Sequence, residues 1–255
     1  MNPQCALYLF PVNISNAPFA DVLPSLNFEI LKGIRHFIVE NIRTARRFIK
    51  KCDPSANISA ITFYELNFHT PQEVIASYLN PLREGSPVGL MSEAGCPGVA
   101  DPGALIVRIA QEEGLKVVPL IGPSSILLSL MASGLNGQNF SFHGYLPVDS
   151  AERERRIRTL ESQSLQHDVT QIFIETPYRN DKMLESLLKT LRNDTLLCVA
   201  RGVTDPENEC IITRSVGKWK ESNFRIDKVP TVFLFYSHNP VKRRIDCHGK
   251  KENII

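Results

Sequence analysis

The stretch SEAGCPGVADPG, residues Ser92 to Gly103, holds three glycines and two prolines between an apolar run, PVGLM, and a segment with helical spacing, ALIVRIAQEEG. PVGLM reads as a buried parallel strand and the following segment as a helix that a glycine stops. An ordinary strand-to-helix connection needs a few residues and one cap. A loop this long, with its backbone preset by glycine and proline, is shaped for close approach to something outside itself.

The same alternation runs outward from it. CALYLFPV, HFIVEN, TFYEL and KVVPLIG read as further strands, several continuously apolar, as in sheets covered on both faces. LPSLNFEILKGI, TARRFIKKC, TPQEVIASYLNPLREG and DPGALIVRIAQEEG read as helices, with Thr70 before Pro71 and Asp101 before Pro102 as expected N-caps. Strand, helix, strand in succession predicts a parallel α/β layer structure.

The second half reads differently. FSFHGYLP, TQIFIETP, TLLCVARGVT, ECIITRSV and TVFLFYSH are expected strands, and AERERRIRTLES and NDKMLESLLKTLRN are the clear helical segments. Adjacent strands around Cys198 to Ser215 suggest an antiparallel hairpin. The expected division is a first α/β domain over 1–121, a second over 122–237, and a basic, poorly ordered tail over 238–255.

Composition sets limits. The 255 residues are 43% hydrophobic and 22% charged, with material for a sizeable core, and a net charge of +2 that implies no partner. Six scattered cysteines without Cys-x-x-Cys or zinc spacing fit reduced thiols in a cytoplasmic protein and no metal. The apolar start MNPQCALYLFPV lacks the basic region of a signal peptide, and no stretch has the length and apolarity to cross a membrane. Gly-x-Gly-x-x-Gly, a phosphate loop and Gly-x-Ser-x-Gly are all missing, which argues against dinucleotide, ATP and hydrolase sites. What remains are special turns at strand ends: Pro11, the Ser92 loop and GPSS.

FIVENIRTARRFI, SEAGCPGVADPG, KVVPLIGPSS, FHGYLP and ETPYR fall in the order seen in the tetrapyrrole methylase superfamily of class III S-adenosylmethionine methyltransferases. The sequence most resembles the branch that methylates ribose 2'-hydroxyls of small-subunit ribosomal RNA, over roughly residues 5 to 236. The resemblance implies two α/β domains with S-adenosylmethionine in the cleft between them, and a homodimer. It implies that Pro11 ends the first strand beneath the cofactor. Ser92, Glu93, Ala94, Gly95, Val99 and Asp101 would line the methionine end, chiefly through backbone groups. Pro123, Ser124 and Ser125 would close the cleft wall, and Glu175, Thr176, Ala200, Pro230 and Thr231 would surround the adenosine. Asp101 reads equally well as a helix cap, and Ala200 and Thr231 as core positions.

The sequence departs from that branch mainly in segments the resemblance places toward the acceptor. PVNISN replaces a Pro-x-Gly-Asn turn, Asn41 and Ile42 replace Asp and Thr in a Glu-Asp-Thr-Arg segment, and Gly202 and Asp205 replace Glu and Lys. Within the Ser92 loop, Glu93 and Cys96 stand for Asp and Thr while every glycine and proline is kept.

Three function classes compete: methylation of a ribosomal RNA ribose, methylation of a tetrapyrrole-like or other small molecule, and cofactor binding with little catalysis. A ribose hydroxyl needs a base; Glu40, Glu65, His69, Glu93 and Glu175 are candidates, and no spacing selects one. Arg43, Arg46, Arg47, Lys50 and Lys51, with the clusters RERRIR and KRRIDCHGKK, could attract RNA phosphates of a ribosomal subunit. Tyr8, Tyr145 and Tyr178 could stack on bases, though aromatic residues beside strands are more often core.

Overall fold

A computed structural model describes residues 3–238. The expected basic tail, with Cys247 and its last cation cluster, lies outside the described residues apart from His238. The chain forms two compact units. One runs up to Ser125 and includes Thr204–Pro206; the other comprises Ile126–Val203 and the residues from Glu207 on.

The first unit is built on five strands: β1 (Leu7–Phe10), β2 (His36–Val39), β3 (Thr62–Glu65), β4 (Val88–Met91) and β5 (Val117–Pro119). They pair in the order β3-β2-β4-β1-β5, all parallel. One face buries Tyr8 and Phe10 with Ile30, Leu31, Phe48 and Ile49 from the helices Ser25–Lys32 and Ile42–Cys52. The other buries Leu7, Val88 and Leu90 with Ile75, Leu79, Ile106 and Ala110. Covered on both faces, β4 is buried throughout, which explains its unbroken apolar sequence.

In the second unit the strands are β6 (Phe140–Tyr145), β7 (Thr170–Glu175), β8 (Leu196–Arg201), β9 (Cys210–Ser215) and β10 (Thr231–Tyr236), in the order β6-β7-β10-β8-β9. Only β6 and β7 are parallel; the rest of the sheet is antiparallel, including the expected β8–β9 hairpin. Phe173, Leu197, Val199, Phe233 and Phe235 project to one face, where Ile157, Leu160, Met183, Leu187 and Trp219 cover them. Phe173 and Phe233 stack there with ring centroids 5.6 Å apart.

Three expectations differ from the observed elements. The segment 70–85 is not one helix: it breaks into Gln72–Ile75, a 3-10 turn Ala76–Leu79, and Asn80–Arg83. Pro81 is the reason, since its ring opposes a continuous helix and it offers no N–H to the preceding turn. Thr70 does not cap that segment. Pro71 occupies the cap position, and the Thr70 hydroxyl instead accepts from Asn67 N and donates to the Glu65 carbonyl. The helix Ser125–Ser133, SILLSLMAS, was not expected, because its nearly continuous apolar run lacks a helical period.

One contact fixes where the sheet of the first unit opens. Pro11, leaving β1, packs so closely on Gly122 that a Cβ added to Gly122 would lie 2.2 Å from Pro11 Cβ. Overpacking of this kind costs about 1–3 kcal/mol. Gly122→Ala is therefore expected to lower the urea unfolding midpoint by a corresponding amount; an unchanged midpoint would show that the two chain segments separate freely.

Candidate functional site

In an open parallel sheet the ligand crevice lies outside the carboxyl ends of the strands, where the connections turn in opposite directions. Here β1 connects toward β2 on one side and β4 connects toward β5 on the other, so the switch falls between the neighbours β1 and β4. Phe10 is level with Met91, and Met91 with Val39. The next residues along each strand are Pro11, Ser92 and Glu40. The sequence-expected residues Pro11, Ser92, Glu93, Ala94, Gly95, Val99, Asp101, Pro123, Ser124 and Ser125 therefore all belong to this end of one sheet.

The Ser92 loop is braced from within. Gly95 N donates to Val12 O at 3.0 Å and Val12 N to Gly95 O at 2.9 Å, a two-bond antiparallel bridge across the switch point. Gly95 reaches it at φ +73°, a conformation a branched side chain resists. The Asp101 carboxylate accepts from Gly98 N at 2.8 Å and Gly103 N at 2.6 Å. It thus closes the loop and accepts from the first N–H of the helix Gly103–Glu112, but Pro102 occupies the cap position that the sequence assigns to Asp101. The Ser92 hydroxyl turns to the carbonyls of Ala94 and Gly95, both at 3.3 Å. Ala94 and Val99 stay exposed at the rim.

The departures from the family wording have physical substitutes. The Cys96 thiol donates to the Pro123 carbonyl at 3.5 Å, joining the loop to the segment after β5. Asn41 caps the helix Ile42–Cys52 by accepting from Arg43 N at 2.9 Å and Thr44 N at 3.3 Å, as an aspartate would, without adding a charge. The PVNISN turn is tied down by Ser15, whose hydroxyl accepts from Ala17 N at 3.1 Å and lies 2.9 Å from the Thr204 hydroxyl. Gly202 is a true rebuild: at φ +59° its Cβ position would meet Asn208 O at 2.8 Å, so no larger residue fits this turn.

Of the five candidate bases, the structure distinguishes Glu40. Glu65 and His69 are exposed, and Glu93 accepts from the Thr44 hydroxyl at 2.5 Å. Glu40 is half-buried at the end of β2 and accepts from Glu93 N at 3.0 Å. Burial pushes its pKa up; the Glu93 N–H opposes that, and the nearby Asp101 and Glu93 charges add to it. Burial likewise raises Asp101 against the N–H groups it accepts from. Glu40, Glu93 and Asp101 thus bring three carboxylates to this end of the sheet.

The second group of expected residues gathers at one end of the other sheet. Thr231 is level with Glu175 on β7 and Arg201 on β8, and Gly202 N donates to Pro230 O at 2.8 Å. Thr176 and Pro230 are exposed. Ala200 is fully buried between Val232 and Ile211, and the buried Thr231 turns its hydroxyl to Val229 O. Glu175 is buried, and its Oε1 accepts from Thr176 N and from Arg179 Nε and guanidinium N–H at 2.6, 3.0 and 2.6 Å.

Several of the basic side chains are occupied. Arg46 lies over Phe63, Lys51 over Phe19, and Lys50 donates to Pro54 O. Tyr8 is core, as expected for aromatics beside strands, whereas Tyr145 and Tyr178 are exposed. Sequence reasoning missed Val12 and Thr44, since backbone pairing and a contact across 49 residues leave no local signal.

No family model matches the sequence. A ribosomal RNA small subunit methyltransferase I from Xylella fastidiosa is 32% identical over 80% of this chain and 70% of its own length. The chain belongs to the ribosomal RNA small subunit methyltransferase I family. The member from Escherichia coli O157:H7 is 27% identical over all of this chain and 94% of its own length, whereas the match to the Haemophilus influenzae member, at 34% identity, spans 49% of that relative. Among solved structures, the methyltransferase CobJ shares the fold with a TM-score of 0.58 at 18% identity, over 91% of this chain and 94% of the other. A uroporphyrin-III C-methyltransferase from Thermus thermophilus, complexed with S-adenosylhomocysteine, shares it with a TM-score of 0.54 at 15% identity, over 94% and 99%. Both expectations, the tetrapyrrole methylase superfamily and its two-domain α/β fold, stand, and the protein is an S-adenosylmethionine-dependent methyltransferase. Among the described residues no group of side chains could hold a metal ion, and no helix is long and apolar enough to cross a membrane.

Glu40 generates a pH prediction. A carboxyl whose folded pKa lies above its unfolded value destabilises the fold when ionised. That cost is absent below about pH 4.3, the unfolded value for Glu, grows as pH rises through the folded pKa, and is complete above it. Glu40→Gln keeps the acceptor for Glu93 N and is expected to be more stable than the parent at neutral pH, with the difference vanishing toward pH 4. Urea midpoints across a pH series check this; a difference that does not change with pH contradicts it.

Proposed function

We propose that the protein transfers a methyl group from S-adenosylmethionine to the 2'-hydroxyl of a ribose in small-subunit ribosomal RNA, acting in the cytoplasm. The supporting observation is the Ser92–Gly103 loop, held rigid at the switch point by the Val12–Gly95 bridge and the Asp101 carboxylate, in a family whose relatives carry that substrate in their names.

The donor chemistry of the crevice fits the cofactor. S-adenosylmethionine carries a sulfonium and an ammonium, and it supplies an activated methyl carbon when bound. Glu40, Glu93 and Asp101 place negative charge beside the loop that would attract a cationic ligand; burial first, and the Asp101 and Glu93 charges after it, raise the Glu40 pKa. In this reading the backbone of Ser92, Glu93, Ala94 and Gly95, with Val99, approaches the methionine end; Asp101 holds the loop, and Pro11 and Pro123–Ser125 fix its flanks. Glu175, Thr176, Ala200, Pro230 and Thr231 remain the proposed adenosine contacts. Displacement at the methyl carbon needs alignment and exclusion of water more than side-chain chemistry, so a pre-braced loop is what the reaction requires.

The test is radiolabelled methyl transfer onto small subunits that lack the modification, with a tetrapyrrole precursor in parallel and the methylated nucleoside identified after digestion. A 2'-O-methylnucleoside is expected. Gly95→Val, which puts a branched side chain at φ +73° and a Cβ within 3.5 Å of Ile14 and Pro123 O, is expected to remove S-adenosylmethionine binding in calorimetry while circular dichroism stays native. Transfer to the tetrapyrrole alone, or unchanged affinity in the variant, overturns the reading.

The protein is further proposed to be a homodimer. Leu127 and Met131, 51% and 78% exposed, lie one turn apart on the helix Ser125–Ser133 and give it an apolar outer face of the kind that pairs isologously. Sedimentation is expected to give about twice the 28.7 kDa of one chain, falling toward one chain in Met131→Glu. A parent that sediments as one chain at micromolar concentration contradicts it.

A further inference from the structure

The second unit carries a pocket with three cationic side chains that the cofactor reading does not use; of its lining, only Glu175 enters that reading. A cavity of about 370 Å³ is lined by Val148, Asp149, Ser150, Arg153, Glu175, Arg179, Lys182 and Met183. Its two arginines are held in place before any ligand arrives. Arg153 donates from Nε to Ser186 Oγ at 3.1 Å and from one guanidinium nitrogen to Val148 O at 2.8 Å and Pro147 O at 3.4 Å. Arg179 is clamped by the buried Glu175 carboxylate. Of the two carboxylates in the lining, Glu175 pairs with Arg179 and accepts from Thr176 N, and Asp149 caps the helix Ser150–His167 through Glu152 N, so Arg153 and Lys182 are the cations not paired within the pocket. Lys182 is exposed, and among the described residues no carboxylate is bonded to it.

Beside this pocket, on the turn Pro177–Arg179, Tyr178 is 79% exposed. Lys228 Nζ stands 5.1 Å from its ring centre. An aromatic ring left in water next to prepositioned guanidinium groups is the arrangement that takes one unstacked base on the ring and the adjoining phosphate on the cations. Duplex RNA would offer the ring no base face, so the pairing of ring and pocket selects single-stranded substrate.

We infer that Arg153, Arg179 and Lys182 form a phosphate pocket, and Tyr178 with Lys228 a base-stacking platform, that together bind a single-stranded segment of the RNA substrate. This rests on the reading of RNA as the acceptor. It gives Glu175 a positioning role, through Arg179, in addition to whatever it contributes elsewhere.

The experiment is fluorescence anisotropy of a labelled single-stranded oligoribonucleotide with the full chain, over a salt series, alongside calorimetry of S-adenosylmethionine and the subunit methylation assay. Loss of one base stack corresponds to about 5- to 160-fold in affinity, which is the weakening expected for Tyr178→Ala, with Tyr178→Phe close to the parent. Lys182→Gln is expected to reduce the slope of log affinity against log salt by about 0.7, the value for one phosphate contact on a single strand. S-adenosylmethionine affinity should not change in any of the three. Parent-like RNA binding in Tyr178→Ala or in Lys182→Gln, from a protein that methylates subunits, overturns this site and leaves the substrate reading intact. A parent that neither binds the oligonucleotide nor methylates subunits overturns both.

Discussion

Two backbone hydrogen bonds between Val12 and Gly95 hold the candidate crevice in shape. They join the turn after β1 to the turn after β4 at the point where the sheet's connections diverge, so that neither loop can open without the other. The pairing needs Gly95 at positive φ, and the rest of the loop is arranged to deliver it there. Asp101 reaches back to Gly98, Cys96 reaches across to Pro123, and Pro11 lies against Gly122. The last two contacts join segments that are neighbours in the fold but distant in the chain. A loop fixed in this way can present its backbone to a ligand with little further ordering cost, which is what a binding loop gains from preorganisation.

Much of this was legible in the residues. The unbroken apolar runs of β1, β2 and β4 predict strands covered on both faces, and glycine and proline mark the loop that matters. The failures have local causes. The segment after β3 shows helical spacing, but Pro81 interrupts its hydrogen-bond ladder. Thr70 carries the composition of a cap, yet its hydroxyl is taken by Asn67 and Glu65 within a tighter turn. The helix Ser125–Ser133 hides because nearly every residue in it is apolar, leaving no polar face to reveal the period. At the site, residue types announced the loop and put Glu40 among the candidate bases, whereas Val12 and Thr44 meet the loop through backbone pairing and a contact across 49 residues, which a single sequence does not display.

The departures from the family wording divide by physical consequence. Asn41 and Cys96 both make hydrogen bonds in this chain, one as a helix cap and the other as a donor to a carbonyl. Asn41 also spares the crevice a further carboxylate beside Glu40, Glu93 and Asp101, where like charges already raise the cost of ionisation. Gly202 is of another kind, because the turn it forms admits no Cβ against the Asn208 carbonyl. Substitutions that keep a contact leave the loop's geometry alone; this one rewrites the backbone and so changes what that turn can present.

Charge separates the two ligands that a methyltransferase of RNA must handle. In the first unit, Glu40 and Asp101 lie beyond strand ends with no cation bonded to them among the described residues, and burial makes their ionisation costly. In the second, the buried Glu175 carboxylate aims Arg179 and pairs with it, carbonyl groups aim Arg153, and Lys182 adds an exposed charge. Neither arrangement is favourable for the protein alone. Crowded like charges cost free energy, and a guanidinium held by carbonyls gives up side-chain freedom. Such costs persist where a ligand offsets them, and the opposite signs in the two units match a cationic methyl donor and an anionic acceptor.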